Sequence, residues 1–168
     1  MAEMSTGTAG LTLPPGSQIM LSATTPGCNG DCLRHLEGKV LLSPMSRNSP
    51  SLDRADATWV VRAGLADPSK LSLESQNLPG NFLRHHHGAL VLHYNDGDEQ
   101  HALDATFEVS PGKNGQGISL SSPDFPSRFI RHYAGEVFLA ARGGPEHWAS
   151  ATSWEDDVSW LARPPWTV

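Results

Sequence analysis

Residues 72–107 read SLESQNLPGNFLRHHHGALVLHYNDGDEQHALDATF. Two pieces anchor this stretch: Leu83-Arg84-His85, just after a Pro-Gly turn, and Asp104-Ala105-Thr106-Phe107. Working outward, the same order of features occurs twice more. Upstream lie Pro26-Gly27, Leu33-Arg34-His35, Val40-Leu41-Leu42 and Asp56-Ala57-Thr58-Trp59. Downstream lie Phe125-Pro126, Ile130-Arg131-His132, Val137-Phe138-Leu139 and Asp157-Val158-Ser159-Trp160. The three histidines fall at intervals of 50 and 47 residues. Four features recurring in one order at near-constant spacing mark an internal repeat, and a repeat decides the architecture. Copy one inserts Cys28-Asn29-Gly30-Asp31-Cys32 where copy two has Asn81-Phe82. Copy three lengthens the histidine-to-aspartate interval to 25 residues.

Each copy predicts four short strands. These are 19–22, 33–35, 39–42 and 58–62 in copy one, and 71–75, 82–86, 89–93 and 106–109 in copy two. In copy three they are 118–121, 128–132, 136–140 and 158–161. Each is apolar or β-branched in part and bounded by Gly, Pro, Asn or Asp. No stretch holds a 3.6-residue apolar period for three turns, and only 149–160 has weak helical potential. The chain reads as all-β. One unit cannot bury its apolar face alone, whereas three around a pseudo-threefold axis close a barrel and remove the exposed edges. The expected fold is a single β-trefoil over 17–168, with repeats at about 17–66, 67–115 and 116–165. Residues 1–16 are small, polar and Gly/Pro-containing, and read as a tail.

At 168 residues the chain fits one domain with a sizeable core. A net charge of −6 without a basic stripe disfavours a nucleic-acid partner. No apolar run approaches the roughly 20 residues of a membrane helix, and no signal peptide is read from the N-terminus. Cys28 and Cys32 could form a small disulfide across the inserted loop or stay as two free thiols. A zinc site would need further ligands at matching spacing.

The chemistry follows from the repeated His and Asp. On an L-R-H strand, alternation puts Leu and His on one face and Arg on the other. If Asp opens the fourth strand, Asp56, Asp104 and Asp157 could simply cap a turn. Alternatively, His35 with Asp56, His85 with Asp104, and His132 with Asp157 converge on pockets. A carboxylate accepting two hydroxyls beside an imidazole matches the vicinal diol of a sugar, and hydrogen bonds to a charged acceptor are the stronger class. Tyr94, Tyr133 and Trp154 could cover the apolar face of a ring. Candidates in threes fit a multivalent binder better than the single asymmetric constellation of an enzyme.

The blocks S-x-x-S-x-x-x-P-G-x-F-L-R-H, L-V-L and D-A-T-F resemble the arabinofuranose-binding module, the AbfB-type carbohydrate-binding module of family 42, over about residues 18–165. The resemblance implies a β-trefoil without a cofactor that binds L-arabinofuranose side chains of arabinoxylan or arabinan. It implies sugar pockets lined by the three His/Asp pairs, copy two carrying the fullest match. Family members often have an aromatic three residues before the aspartate; Asp53, His101 and Trp154 stand there in this chain. The module usually accompanies a glycoside hydrolase, so the chain is expected to be a stand-alone module or part of a longer, extracellular protein.

Three rival readings remain. His85-His86-His87, with His93 and His101 nearby, invites a metal, since His85 and His87 would share a strand face. A glycosidase would need two carboxylates flanking a cleft about 5–5.5 or 6.5–9.5 Å apart; Asp156 and Asp157 show no sign of that. The third is a protein-interaction trefoil that has lost sugar binding.

Overall fold

The computed structural model describes residues 13–166. Most of the tail read over 1–16 therefore lies outside the described residues. Its last residues are docked: Leu13 packs against the barrel core and the Gly16 N–H donates to Val61 O at 2.7 Å.

Twelve strands form one antiparallel sheet: β1 (Gln18–Ala23), β2 (Asp31–Leu36), β3 (Lys39–Pro44), β4 (Trp59–Ala63), β5 (Leu71–Ser75), β6 (Asn81–His86), β7 (Ala89–Tyr94), β8 (Glu108–Pro111), β9 (Ile118–Ser121), β10 (Arg128–Tyr133), β11 (Glu136–Ala141) and β12 (Trp160–Arg163). β1 pairs with β4 and β12, β4 with β5, and β9 with β12 and β8. The Leu71–Phe107 bridge joins β5 to the residue before β8 and completes a ring. The result is a closed, barrel-like all-β sheet with no free edge at the seam.

The other six strands are three hairpins in one register. Leu33 faces Leu42 and His35 faces Val40; Leu83 faces Leu92 and His85 faces Leu90; Ile130 faces Leu139 and His132 faces Val137. Each closes through two residues at positive φ: Glu37-Gly38, His87-Gly88 and Ala134-Gly135. A two-residue hairpin requires this, because its twist must match that of the strands. His87 therefore sits in a turn and does not share a strand face with His85, correcting the sequence expectation. The hairpins meet in a triangle of β3, β7 and β11. There the Leu42, Leu92 and Leu139 N–H groups bond to Gly135, Gly38 and Gly88 carbonyls at 2.8–2.9 Å.

The core draws on all three copies. Leu33, Leu83 and Ile130, with Trp59, Phe107 and Trp160, are completely buried in one cluster. The indole N–H groups of Trp59 and Trp160 are satisfied by Leu33 O and Ile130 O, as buried donors must be.

Before the last strand of each copy lies a short helix: α1 (Ser51–Asp56) and α2 (Glu99–Asp104), which the sequence reading did not resolve, and α3 (Trp154–Asp157), inside the 149–160 stretch of weak helical potential. The repeated aspartate ends this helix and does not open the strand. The D-A-T-F block now has a reason at each position. Asp faces the site. Ala57, Ala105 and Val158 are fully buried. Thr58, Thr106 and Ser159 donate to the carbonyls of Arg54, Ala102 and Glu155 at 2.7–2.8 Å, satisfying the helix end. The aromatic enters the core.

Candidate functional site

Each hairpin positions its L-R-H residues against the aspartate of its own helix. Leu enters the barrel. Arg leaves from the other face yet curls back to the carboxylate. Arg34 Nη2 meets Asp56 Oδ2 at 2.6 Å and Arg131 Nη2 meets Asp157 Oδ2 at 2.7 Å; Arg84 pairs with Asp104 in the same way. The histidine Nε2 approaches the other carboxylate oxygen at 3.7, 3.4 and 3.6 Å in copies one, two and three. All three predicted His/Asp pairs are thus brought together, and all are buried. The arginine was missed as a site residue, although its threefold recurrence was in plain view. The turn-capping alternative does not describe these aspartates, whose side-chain oxygens go to arginine and to the site.

What separates the copies is the loop that each borrows from its neighbour. In copy one, Asn77 of copy two fills the gap. Its Oδ1 lies 2.9 Å from His35 Nε2, and its Nδ2 donates to Asp56 Oδ1 at 2.7 Å. Ser75 Oγ adds a contact to His35 at 3.1 Å. In copy three, the Thr25 hydroxyl lies 2.9 Å from His132 Nε2 and donates to Asp157 Oδ1 at 2.8 Å. In copy two, no group among the described residues bridges the pair. His85 Nε2 is buried with no hydrogen-bond partner, and Asp104 Oδ1 receives Gln100 of its own helix. The residue standing where Asn77 stands is Asp124. Both lie two positions after a serine whose Oγ accepts the N–H three residues on: Ser75 from Leu78, Ser122 from Phe125.

Copy two accordingly opens onto a cleft of about 510 Å³. Arg84, His85, Gln100 and Asp104 line it from copy two, and Phe125, Arg128, Glu146 and Trp148 from copy three. The Phe125 ring meets His85 edge-on at 5.8 Å and carries the Arg128 guanidinium at 4.5 Å. In the other copies the histidine leans on the core tryptophan instead, His35 on Trp59 and His132 on Trp160. Copy two has Phe107 at that place.

Burial pushes the His85 imidazole below its ordinary value, and Arg84 and Arg128 act in the same direction. Asp104 and Asp124 oppose them without overcoming the shift. His132 is lowered likewise, by burial first, with Arg131 adding and Asp157 and Asp31 opposing. A neutral imidazole offers one donor and one acceptor, which suits a hydroxyl.

Ligand atoms of His85, Asp104 and Asp124 lie within 4.8 Å of one another, so these three could hold a metal. The Arg84 guanidinium already pairs with Asp104, and Arg128 lies over the adjoining Phe125 ring, so a divalent cation would be repelled by both. His86 lies against His87 at 4.1 Å and His93 at 5.7 Å as tilted rings, and these three are not among the described residues whose ligand atoms converge.

The aromatics singled out in the sequence are not the ones that wall this cleft. Tyr94 is 66% exposed and lies over Gly80, where a β-carbon would come within 2.8 Å of its ring. Trp154 is 5% exposed and packs on Phe129, with Arg131 over its face. Tyr133 packs against His147 and Arg131. The position three before the aspartate is one of helix-to-strand packing: His101 meets Phe82 as Trp154 meets Phe129, and Asp53 approaches Arg34. Cys28 and Cys32 are free thiols. Cys28 leans on the barrel core, while Cys32 packs with Met20, Met45 and Ala57 in a separate cluster. Burial pushes the Cys32 thiol up to about 11.

Comparison with known proteins adds the following. The family model described as the alpha-L-arabinofuranosidase B (ABFB) domain matches residues 21–162. A probable alpha-L-arabinofuranosidase B of Aspergillus terreus is 47% identical over 154 residues, covering 92% of this chain and 30% of the relative. The corresponding protein of Aspergillus clavatus is 43% identical over the same shares. The chain thus spans less than a third of the length of these curated relatives. A crystal structure of an arabinofuranosidase complexed with arabinofuranosyl-alpha-1,2-xylobiose superposes with a TM-score of 0.91 at 33% identity, over 94% of this chain and 33% of that one.

Proposed function

Because the chain belongs to the alpha-L-arabinofuranosidase B (AbfB) domain family, we propose that it is a non-catalytic carbohydrate-binding module whose copy-two pocket takes an L-arabinofuranose side chain of arabinoxylan or arabinan. The observation that carries this is the contrast among the three sites. Where copy three has the Thr25 hydroxyl between imidazole and carboxylate, and copy one the Asn77 amide, copy two has a buried His85 Nε2 with no hydrogen-bond partner. Thr25 is an internal stand-in for the ligand: an alcohol seated between Nε2 and Oδ1. A sugar hydroxyl entering copy two would make the same two bonds, one to a charged acceptor. A buried polar group left unpartnered costs about 1–3 kcal/mol, so the ligand recovers what the fold leaves open.

On this reading the body is a β-trefoil: a six-strand ring from β1, β4, β5, β8, β9 and β12, capped by three hairpins. Binding is univalent, because two of the three sites are filled from within. The hydrolytic activity in the relatives' names resides in the two-thirds of their length that this chain does not span, and the module holds a hydrolase near branched substrate.

Affinity for one arabinofuranoside is expected near millimolar, about −4 kcal/mol. The test is retention on insoluble arabinoxylan, competed by methyl α-L-arabinofuranoside. Retention should fall with the competitor and on xylan stripped of its arabinose. Equal retention on stripped xylan would reject the reading.

A further inference from the structure

The copy-two cleft is larger than a single branch sugar needs, and its extra wall is imported. A pentose displaces about 150 Å³, taking five times the roughly 30 Å³ share of a water in the liquid. The cleft is about 510 Å³. Beyond His85 and Asp104 it is lined by Gly88, Leu139, Glu146 and Trp148. Trp148 comes from the segment that lengthens copy three between its histidine and its aspartate.

This wall is fixed in place. The Trp148 ring stacks flat on Phe138, with centroids 4.5 Å apart and planes 2° apart. Its edge abuts the copy-two hairpin turn so closely that a β-carbon at Gly88 would come within 2.8 Å of it. Arg131 pins the loop. Arg34 and Arg84 each spend an N–H on the carbonyl of the next residue, whereas Arg131 donates to Trp148 O, Ser150 O and Thr152 O at 2.7–2.8 Å. It is 1% exposed. The copy-three arginine therefore holds a wall of the copy-two pocket.

A second observation points to a ligand at this wall. Four buried side-chain polar atoms have no hydrogen-bond partner among the described residues, and two belong to residues that line this one cleft: His85 Nε2 and Trp148 Nε1. A tryptophan with an apolar face and an unanswered N–H suits a molecule that is apolar on one side and hydroxylated on the other. Glu146 adds an acceptor nearby.

We infer that Trp148 and Glu146 form a second subsite, so that copy two recognises a branch sugar together with the sugar that bears it. This rests on the sugar-binding reading of His85 and Asp104 and extends it from a terminal residue to a linked pair of rings.

The test compares methyl α-L-arabinofuranoside with arabinofuranosyl-xylobiose by calorimetry and by NMR of the indole N–H signals. The intact chain should bind the trisaccharide about tenfold more tightly, and Trp148→Ala should bring that ratio toward one. The Trp148 Nε1–H signal of the intact chain should move with the trisaccharide and not with the methyl glycoside, a readout independent of how the variant folds. Equal affinities, a ratio unaffected by Trp148→Ala, or a Trp148 signal blind to the trisaccharide would each overturn the subsite while leaving the first pocket standing. Failure of both sugars to bind would overturn the first pocket and the subsite with it.

Discussion

Copy two and copy three carry the same arginine, histidine and aspartate in the same hairpin and helix, and yet one site is open and the other filled. The difference lies in the loop arriving from the neighbouring copy. Copy three receives Thr25, whose hydroxyl joins His132 to Asp157. Copy two receives Asp124 and Phe125, and His85 Nε2 is left without a hydrogen-bond partner. A threefold scaffold can therefore keep its structural ion pair in every copy and vary only what sits on it. The Arg/Asp pair belongs to stability; the His/Asp edge is either closed by the chain or left for a ligand.

The strongest way to probe that division is Asp104→Ala. It removes a buried partner of Arg84 and leaves a guanidinium uncompensated, so the loss of stability should be about 3–5 kcal/mol, read from denaturant unfolding. An unchanged midpoint would mean the pair is not structural. Asn77→Ala strikes the filled site of copy one. It should cost about 1–3 kcal/mol, because His35 and Asp56 lose one hydrogen bond each. It should also make the His35 ring signals respond to an arabinofuranoside, as they should not in the intact chain. Asp124→Asn does the reverse and gives copy two the plug of copy one. Sugar binding should fall below detection while stability rises by about 1 kcal/mol, the net worth of one hydrogen bond.

The smallest effect is that of pH. Folding lowers His85 and His132 below their unfolded value, so at low pH the unfolded chain binds protons that the folded one refuses. Their contribution leaves stability untouched above the unfolded pKa of about 6.5. It erodes stability as pH falls from there through the lowered folded values. NMR titration should place both rings below free imidazole; a midpoint above it would contradict the sign.

Much of this was legible in the sequence, and the boundary has a physical cause. L-R-H and D-A-T-F recur because each residue has one fixed task within its own copy, and a task repeated in sequence is visible there. The hairpin turns were readable for the same reason. Helices α1 and α2 were not, since six residues are too short to show a period, and α3 left only the weak helical potential of 149–160. The plugs were hidden more deeply: Thr25 is 107 residues from His132 and Asn77 is 42 from His35, and no local pattern ties them. Trp148 is hidden in the same way, in a loop of one copy walling the pocket of another. Tyr94 and Trp154 drew attention as aromatics, but one covers a turn glycine and the other a helix-to-strand contact.

Copy two as the one open pocket is tested most directly by following the ring signals of His35, His85 and His132 during titration with methyl α-L-arabinofuranoside. Saturable shifts should appear at His85 alone, with one equivalent bound. Shifts of equal size at His35 or His132, or silence at His85 on the order of tens of millimolar, would contradict it.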